Sequence, residues 1–134
     1  MHQKSKYFAF LIIFLILLSS CRISQKKNSP EYVSYQFLSH FQQMEFDEAA
    51  KYGTENTKML IMFFKNIIGM MPPEKRDSIQ IPEANVEIKK CYVYENSAKC
   101  TYIANEKTDT LDLLKIEGKW LVDLKKESKK AEKL

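Results

Sequence analysis

Two cysteines in the second half of the chain carry the most definite chemistry that the sequence offers. Cys91 and Cys100 lie in a stretch rich in β-branched and aromatic residues, interrupted at Glu95-Asn96. If those two residues form a tight turn, facing residues have numbers summing to 191, and the two cysteines stand directly opposite one another. A two-residue loop makes this a non-hydrogen-bonded pair, with Cα atoms about 4.5 Å apart, near the short end of the disulfide range. A four-residue loop keeps the register but changes the pair type, so the bridge depends on the turn. A structural disulfide is the expectation; two buried free thiols are the alternative. A redox or metal role lacks support, because there is no Cys-x-x-Cys spacing and His40 is the only histidine beyond His2, too few ligands for zinc.

His40 itself sits beside an apolar stripe with Asp47 and Glu48 nearby in sequence. A His–carboxylate pair can do general acid–base work, but a histidine at a helix boundary usually has no such duty. Phe37, Phe41, Phe63 and Trp120 define a candidate ligand pocket between helices and sheet, against the plainer reading that aromatics at such spacing, Phe64 among them, are core. Met59, Met62, Met70 and Met71 suit adaptable packing or a groove for a partner. Gly53, Gly69 and Gly118 are too far apart for a phosphate-binding loop, and no nucleophile elbow is present. The expectation is a domain with no catalytic residues, no cofactor and no metal.

The elements that must position these groups follow from spacing. Ser29-Pro30-Glu31 reads as a helix start, with Ser as N-cap, Pro in the first turn and Glu favoured by the helix dipole. Val33, Phe37, Phe41 and Met44 continue it as one apolar stripe. Phe46, Ala49, Ala50 and Tyr52 predict a short second helix ended by Gly53. Thr54 caps a third helix carrying Leu60, Phe63, Phe64, Ile67, Ile68 and Met71, which Pro72-Pro73 stop. Residues 72–83 read as a loop. Strands are predicted over 86–94 and 97–104, then over 108–116 and 119–124 around Gly118. Helices first and strands after argue for α+β, an antiparallel sheet with helices on one face.

The third cysteine belongs to a different argument. Lys4 and Lys6 precede an unbroken apolar run over 7–18, followed by Ser19, Ser20 and Cys21. That is the layout of a signal peptide, and the run is shorter than the about 20 residues of a spanning helix. Leu18-Ser19-Ser20-Cys21 resembles the lipobox of bacterial lipoproteins, which implies cleavage before Cys21 and lipidation of its thiol. Two or more acyl chains, at about 0.8 kcal/mol per buried methylene, make a stable membrane anchor. The expected organisation is therefore a signal peptide over 1–20, a lipidated tether over 21–29, a domain over 30–124 and a basic tail over 125–134. The net charge of +4 resides at the ends: residues 28–124 hold 11 Lys and Arg against 15 Asp and Glu. With no basic face left, nucleic acid is set aside as a partner.

The order of motifs also carries a resemblance: Ser29-Pro30 opening a helix with Phe37-Leu38, then Phe46-Asp47-Glu48-Ala49, Tyr52 and Thr54, and late in the chain the Ala98 hairpin and Leu114-Lys115-Ile116-Glu117-Gly118-Lys119-Trp120-Leu121-Val122. It resembles a family of small lipoproteins of unknown function from gut Bacteroidota, with a cystatin-like fold related to nuclear transport factor 2. The resemblance implies a cone of helices on a curved antiparallel sheet and brings no catalytic residues. Location in the cell envelope is expected, anchored by lipid on Cys21 to the outer membrane and facing the periplasm. The expected role is non-enzymatic binding of a small ligand or an envelope protein; the alternative is a small hydrolase or isomerase with its site inside the cone.

Overall fold

A computed structural model describes residues 27–79 and 85–125. The expected signal peptide, Cys21 and all of the basic tail except Lys125 lie outside the described residues. Four helices precede four strands in the described chain: α1 (Pro30–Gln42), α2 (Phe46–Ala50), α3 (Glu55–Met70), α4 (Pro73–Ile79), β1 (Val86–Tyr94), β2 (Ser97–Ala104), β3 (Lys107–Ile116) and β4 (Lys119–Val122). The strands form one antiparallel sheet in the order β1-β2-β3-β4, with the helices against it. The architecture is α+β, as the order of patterns in the sequence predicts.

Local chemistry accounts for each boundary. The Tyr32 N–H donates to Ser29 Oγ at 3.1 Å, with Pro30 in the first turn, so α1 starts where its cap stands. Thr54 caps α3 in the same way, accepting from the Thr57 N–H. The sheet is a meander joined by two-residue turns. Asn105 and Glu106 both take positive φ (50° and 64°), as do Glu117 and Gly118 (50° and 79°), the backbone that suits the twist of paired strands. Residues 73–79, read from sequence as loop, form α4: Pro73 opens it and Glu74 sits in its first turn, a combination suited to a helix start.

One face of the sheet is buried. Ala98 and Cys100 of β2, Leu111 and Leu113 of β3, and Trp120 and Val122 of β4 alternate inward against Val33, Phe37 and Leu38 of α1, Ala49 of α2 and Ile61 of α3. Each large side chain fully removed from water here contributes about 1.5–3 kcal/mol. Helix α1 does most of the covering, lying against β1, β2 and β4.

Strand β4 is only four residues long and forms an edge, yet its outer side is occupied. The Asn28 side chain accepts from the Trp120 N–H at 2.9 Å and donates to the Gly118 carbonyl at 2.7 Å. The Val122 N–H donates to the Tyr52 carbonyl at 2.8 Å, and the Thr54 N–H to the Val122 carbonyl at 2.9 Å. Gly53, between them, bridges Val122 in parallel. Its expected role as a helix C-cap is therefore corrected. A Cβ at Gly53 would stand 2.6 Å from Thr57 Cγ2, so glycine is needed for close approach rather than for a left-handed turn.

Thr57 completes the latch. Its hydroxyl donates to the Val122 carbonyl at 2.8 Å and accepts from the Leu124 N–H at 2.8 Å, while Thr54 Oγ1 donates to Asp123 Oδ1 at 3.0 Å. The Asn56 amide donates to the Leu124 carbonyl at 2.9 Å. Thr57 is fully buried, so Thr57→Val, which keeps the shape and removes the hydroxyl, leaves the Leu124 N–H without its partner. A loss of about 1–3 kcal/mol is expected in urea unfolding, with Thr57→Ser much closer to the native protein; equal losses in both variants would contradict this role.

Candidate functional site

Three of the four aromatics of the expected pocket meet in the common core, and Phe63 stands apart from them. Phe37 and Trp120 are buried, 2 % and 7 % exposed, within the common core. Phe41 is half-buried and touches Phe37, Phe46 and Phe64, with ring centroids 6.1, 5.6 and 6.0 Å apart. Phe63 is 61 % exposed and outside that core. It meets the neighbouring ring of Phe64, with centroids 6.5 Å apart. The Phe37, Phe41 and Trp120 positions serve packing, and Phe63 belongs to the surface.

The cysteines stand where the register puts them. Cys91 pairs with Cys100 across β1 and β2, their Cα atoms are 4.0 Å apart and their sulfurs are bonded. Tyr94 pairs with Ser97, so Glu95-Asn96 is a two-residue turn, with Glu95 at a φ of 52°. Cys100 is fully buried. The bridge thus ties edge strand β1 to β2 just after the irregularity between Ile88 and Lys90.

His40 has a different carboxylate from those beside it in the sequence reading. Asp47 pairs with Lys65 and Glu48 with Lys51, both at 2.8 Å. Glu45 takes the histidine instead: after α1 the chain turns through Met44 at a φ of 59°, the Glu45 N–H donates to the His40 carbonyl at 2.9 Å, and the Glu45 carboxylate meets His40 Nδ1. The Tyr52 ring stacks on the imidazole at 6.1 Å, and its other neighbour is Tyr32, with ring centroids 6.5 Å apart. Burial, and then the adjacent Tyr32, push the Tyr52 phenol above its usual range, so it is a neutral hydroxyl at physiological pH.

Tyr32 connects this cluster to a groove of about 490 Å³ where α1 meets β1. One wall is Ser29, Glu31, Tyr32, Tyr35 and Gln36; the other is Val86, Glu87 and Ile88. The Ser29 hydroxyl is taken up in capping α1, and Glu87 is paired with Lys89 at 2.7 Å. Tyr35, 43 % exposed, and Gln36, half-buried, present an aromatic face and an amide. The groove lies beside the β1 edge of the sheet, where no strand pairs among the described residues, at the end opposite β4 with its bonds to Asn28 and residues 52–54. The sequence did not single out Tyr32, Tyr35, Gln36 or Glu45. Tyr35 on the polar flank of α1 was the available signal, an aromatic off the core stripe.

The chain is similar in structure to the "Putative NTF2-like transpeptidase" from Campylobacter jejuni, whose crystal structure was determined at 2.00 Å resolution. The TM-score is 0.52 at 16 % identity, covering 72 % of this chain and 99 % of that one. At that identity the likeness establishes the NTF2-like fold and nothing finer. No protein-family model matches the chain, and no curated protein does. The expectation that the domain is not an enzyme is corrected by this neighbour: a protein of the same fold bears an enzyme's name, so a sequence lacking familiar reactive motifs is no ground for excluding catalysis.

The disulfide has a direct consequence for stability. Closing the loop between Cys91 and Cys100, nine residues apart, contributes roughly 2.5–3 kcal/mol by loop-closure entropy. Reduction should add two daltons to the protein's mass and lower its urea midpoint accordingly; an unchanged mass after full reduction would contradict the bond.

Proposed function

We propose that this protein is a lipid-anchored lipoprotein of the bacterial envelope whose NTF2-like domain binds a peptide-like ligand in the groove between α1 and β1. One observation carries the binding half: the edge of β1, which no strand covers among the described residues, forms a wall of a groove whose other wall holds Tyr32, Tyr35 and Gln36. An edge strand offers backbone donors and acceptors to an extended chain, and alternate side chains of that chain then fall into neighbouring pockets. Tyrosines add large contact area with a polar tip, and the Gln36 amide can match a peptide group. The name of the Campylobacter jejuni neighbour, a transpeptidase, is in keeping with a peptide as ligand.

The anchoring half rests on the sequence, on Lys4 and Lys6, the apolar run and Leu18-Ser19-Ser20-Cys21. A lipid on Cys21 holds the domain at a membrane without spanning it. Kinship with the Bacteroidota lipoproteins rests likewise on the order of motifs. Among the described residues no helix is long and apolar enough to cross a membrane.

Catalysis on such a ligand is the second reading, favoured by the contiguity of groove and histidine. Tyr32 lines the groove and touches Tyr52, which stacks on His40, which is paired with Glu45. A histidine oriented by a carboxylate is equipped to move a proton.

Two experiments separate the parts. Metabolic labelling with palmitate should mark the native chain and not Cys21→Ser, which should also remain an uncut precursor; normal processing of that variant would overturn the anchor. Panning of extended peptides against the protein should yield ligands whose affinity falls about tenfold or more (about 1.4 kcal/mol) in Tyr35→Ala, with no change in thermal stability. Peptides bound equally by that variant would overturn the groove, and cleaved or rejoined peptides lost in His40→Ala would establish the catalytic reading.

A further inference from the structure

Helix α3 is apolar on two opposite sides. With about 100° between successive residues, Thr57, Ile61 and Ile68 share the side that meets the rest of the fold, the first two buried and the third half-buried. Met59, Met62, Phe63 and Met70 point the other way and are 65 %, 50 %, 61 % and 86 % exposed. Ile67 borders them at 37 %. On a surface helix the face turned away from the core is normally charged or polar. This helix is latched through its first turn and leaves its outer side uncovered by any described residue of the chain.

We propose that a second copy of this protein covers that side, α3 against α3, antiparallel about a two-fold axis. In an isologous contact each pair of positions meets twice, and a two-fold axis at the point between Phe64 and Lys65 maps positions 59, 62, 63, 66, 67 and 70 onto themselves. Met59 of one copy then falls against Met70 of the other, Met62 against Ile67 and Phe63 against Asn66.

The area is adequate. Taking about 200 Å² for a large side chain when fully exposed, these five side chains offer about 600 Å² per copy, most of the about 800 Å² that each partner buries in a standard interface. The flanking charges favour protein over lipid. Lys58 and Lys65, the two lysines of α3, are paired with Glu55 and Asp47 at 2.8 Å and are not held free for headgroups.

The test is photo-crosslinking in the intact chain on its own membrane, with a benzophenone amino acid in place of Phe63. That side chain lies outside the core, so the fold tolerates the replacement. The expected product has twice the mass of the chain, and its cross-link maps to residues 62–67 of the second copy. Met70→Glu, at the most exposed of these positions, should lower the yield about tenfold or more by burying an unpaired charge in the interface, with thermal stability of the dilute protein unchanged. A monomeric product, a cross-link to lipid, to another protein or to residues 21–26 of the same copy, or a yield unaffected by Met70→Glu, would each overturn the proposal.

Discussion

The short edge strand β4 cannot satisfy its own backbone, and the rest of the domain is arranged around that constraint. Buried N–H and C=O groups need partners, and here the chain supplies them from its own helical half. Asn28 reaches Trp120 and Gly118, the Tyr52–Thr54 segment pairs with Val122, and the Thr57 hydroxyl stands between the Val122 carbonyl and the Leu124 N–H. Because these bonds fall on the loop before α3 and on its first turn, they fix where that helix begins and which side of it faces the core. They also require glycine at position 53, where the loop presses against Thr57. Ion pairs between the helices, such as the exposed Lys65–Asp47, contribute only about 0–1 kcal/mol each, so the latch and the apolar core decide the position of α3.

The two edges of the sheet consequently differ. One is closed by the helical half of the chain, and the other, β1, has no strand beside it among the described residues and borders the groove lined by Tyr32, Tyr35 and Gln36. The disulfide lies on the open side and holds β1 to β2 there. Ligand binding at β1 and self-association at α3 would thus use opposite consequences of one arrangement: an edge left unpaired, and a helix held at one end with its outer stripe uncovered, among the described residues.

Those features encoded within a few neighbouring residues were legible in the sequence. Ser29 and Thr54 as caps, Glu95-Asn96 as a turn and the facing of Cys91 and Cys100 all follow from local geometry, and the α+β order follows from the change of period at Val86. What needed long-range contacts was not legible. The α3 pattern misled because apolar residues occupy both sides: Phe63 looked equivalent to Phe64, yet only the side of Thr57 and Ile61 is buried, and the polar Thr57 rather than a phenylalanine is its deepest contact. His40 was read with Asp47 and Glu48, but the turn at Met44 delivers Glu45. Gly53 looked like a helix terminator, since the strand it bridges lies almost seventy positions away. The short helix α4 was hidden by two prolines that only its start could tolerate.

The account turns on the latch at the end of β4, and the exchange of one backbone proton reads it directly. The Leu124 amide lies beyond the last strand residue, in a stretch with no regular secondary structure, and would exchange within the frayed end of an ordinary edge strand. Held by the buried Thr57 hydroxyl, it should instead exchange only on global unfolding, with the same opening free energy as the Leu113 amide in the centre of the sheet. Rapid exchange at Leu124 while Leu113 stays protected would contradict the latch and, with it, the placement of α3.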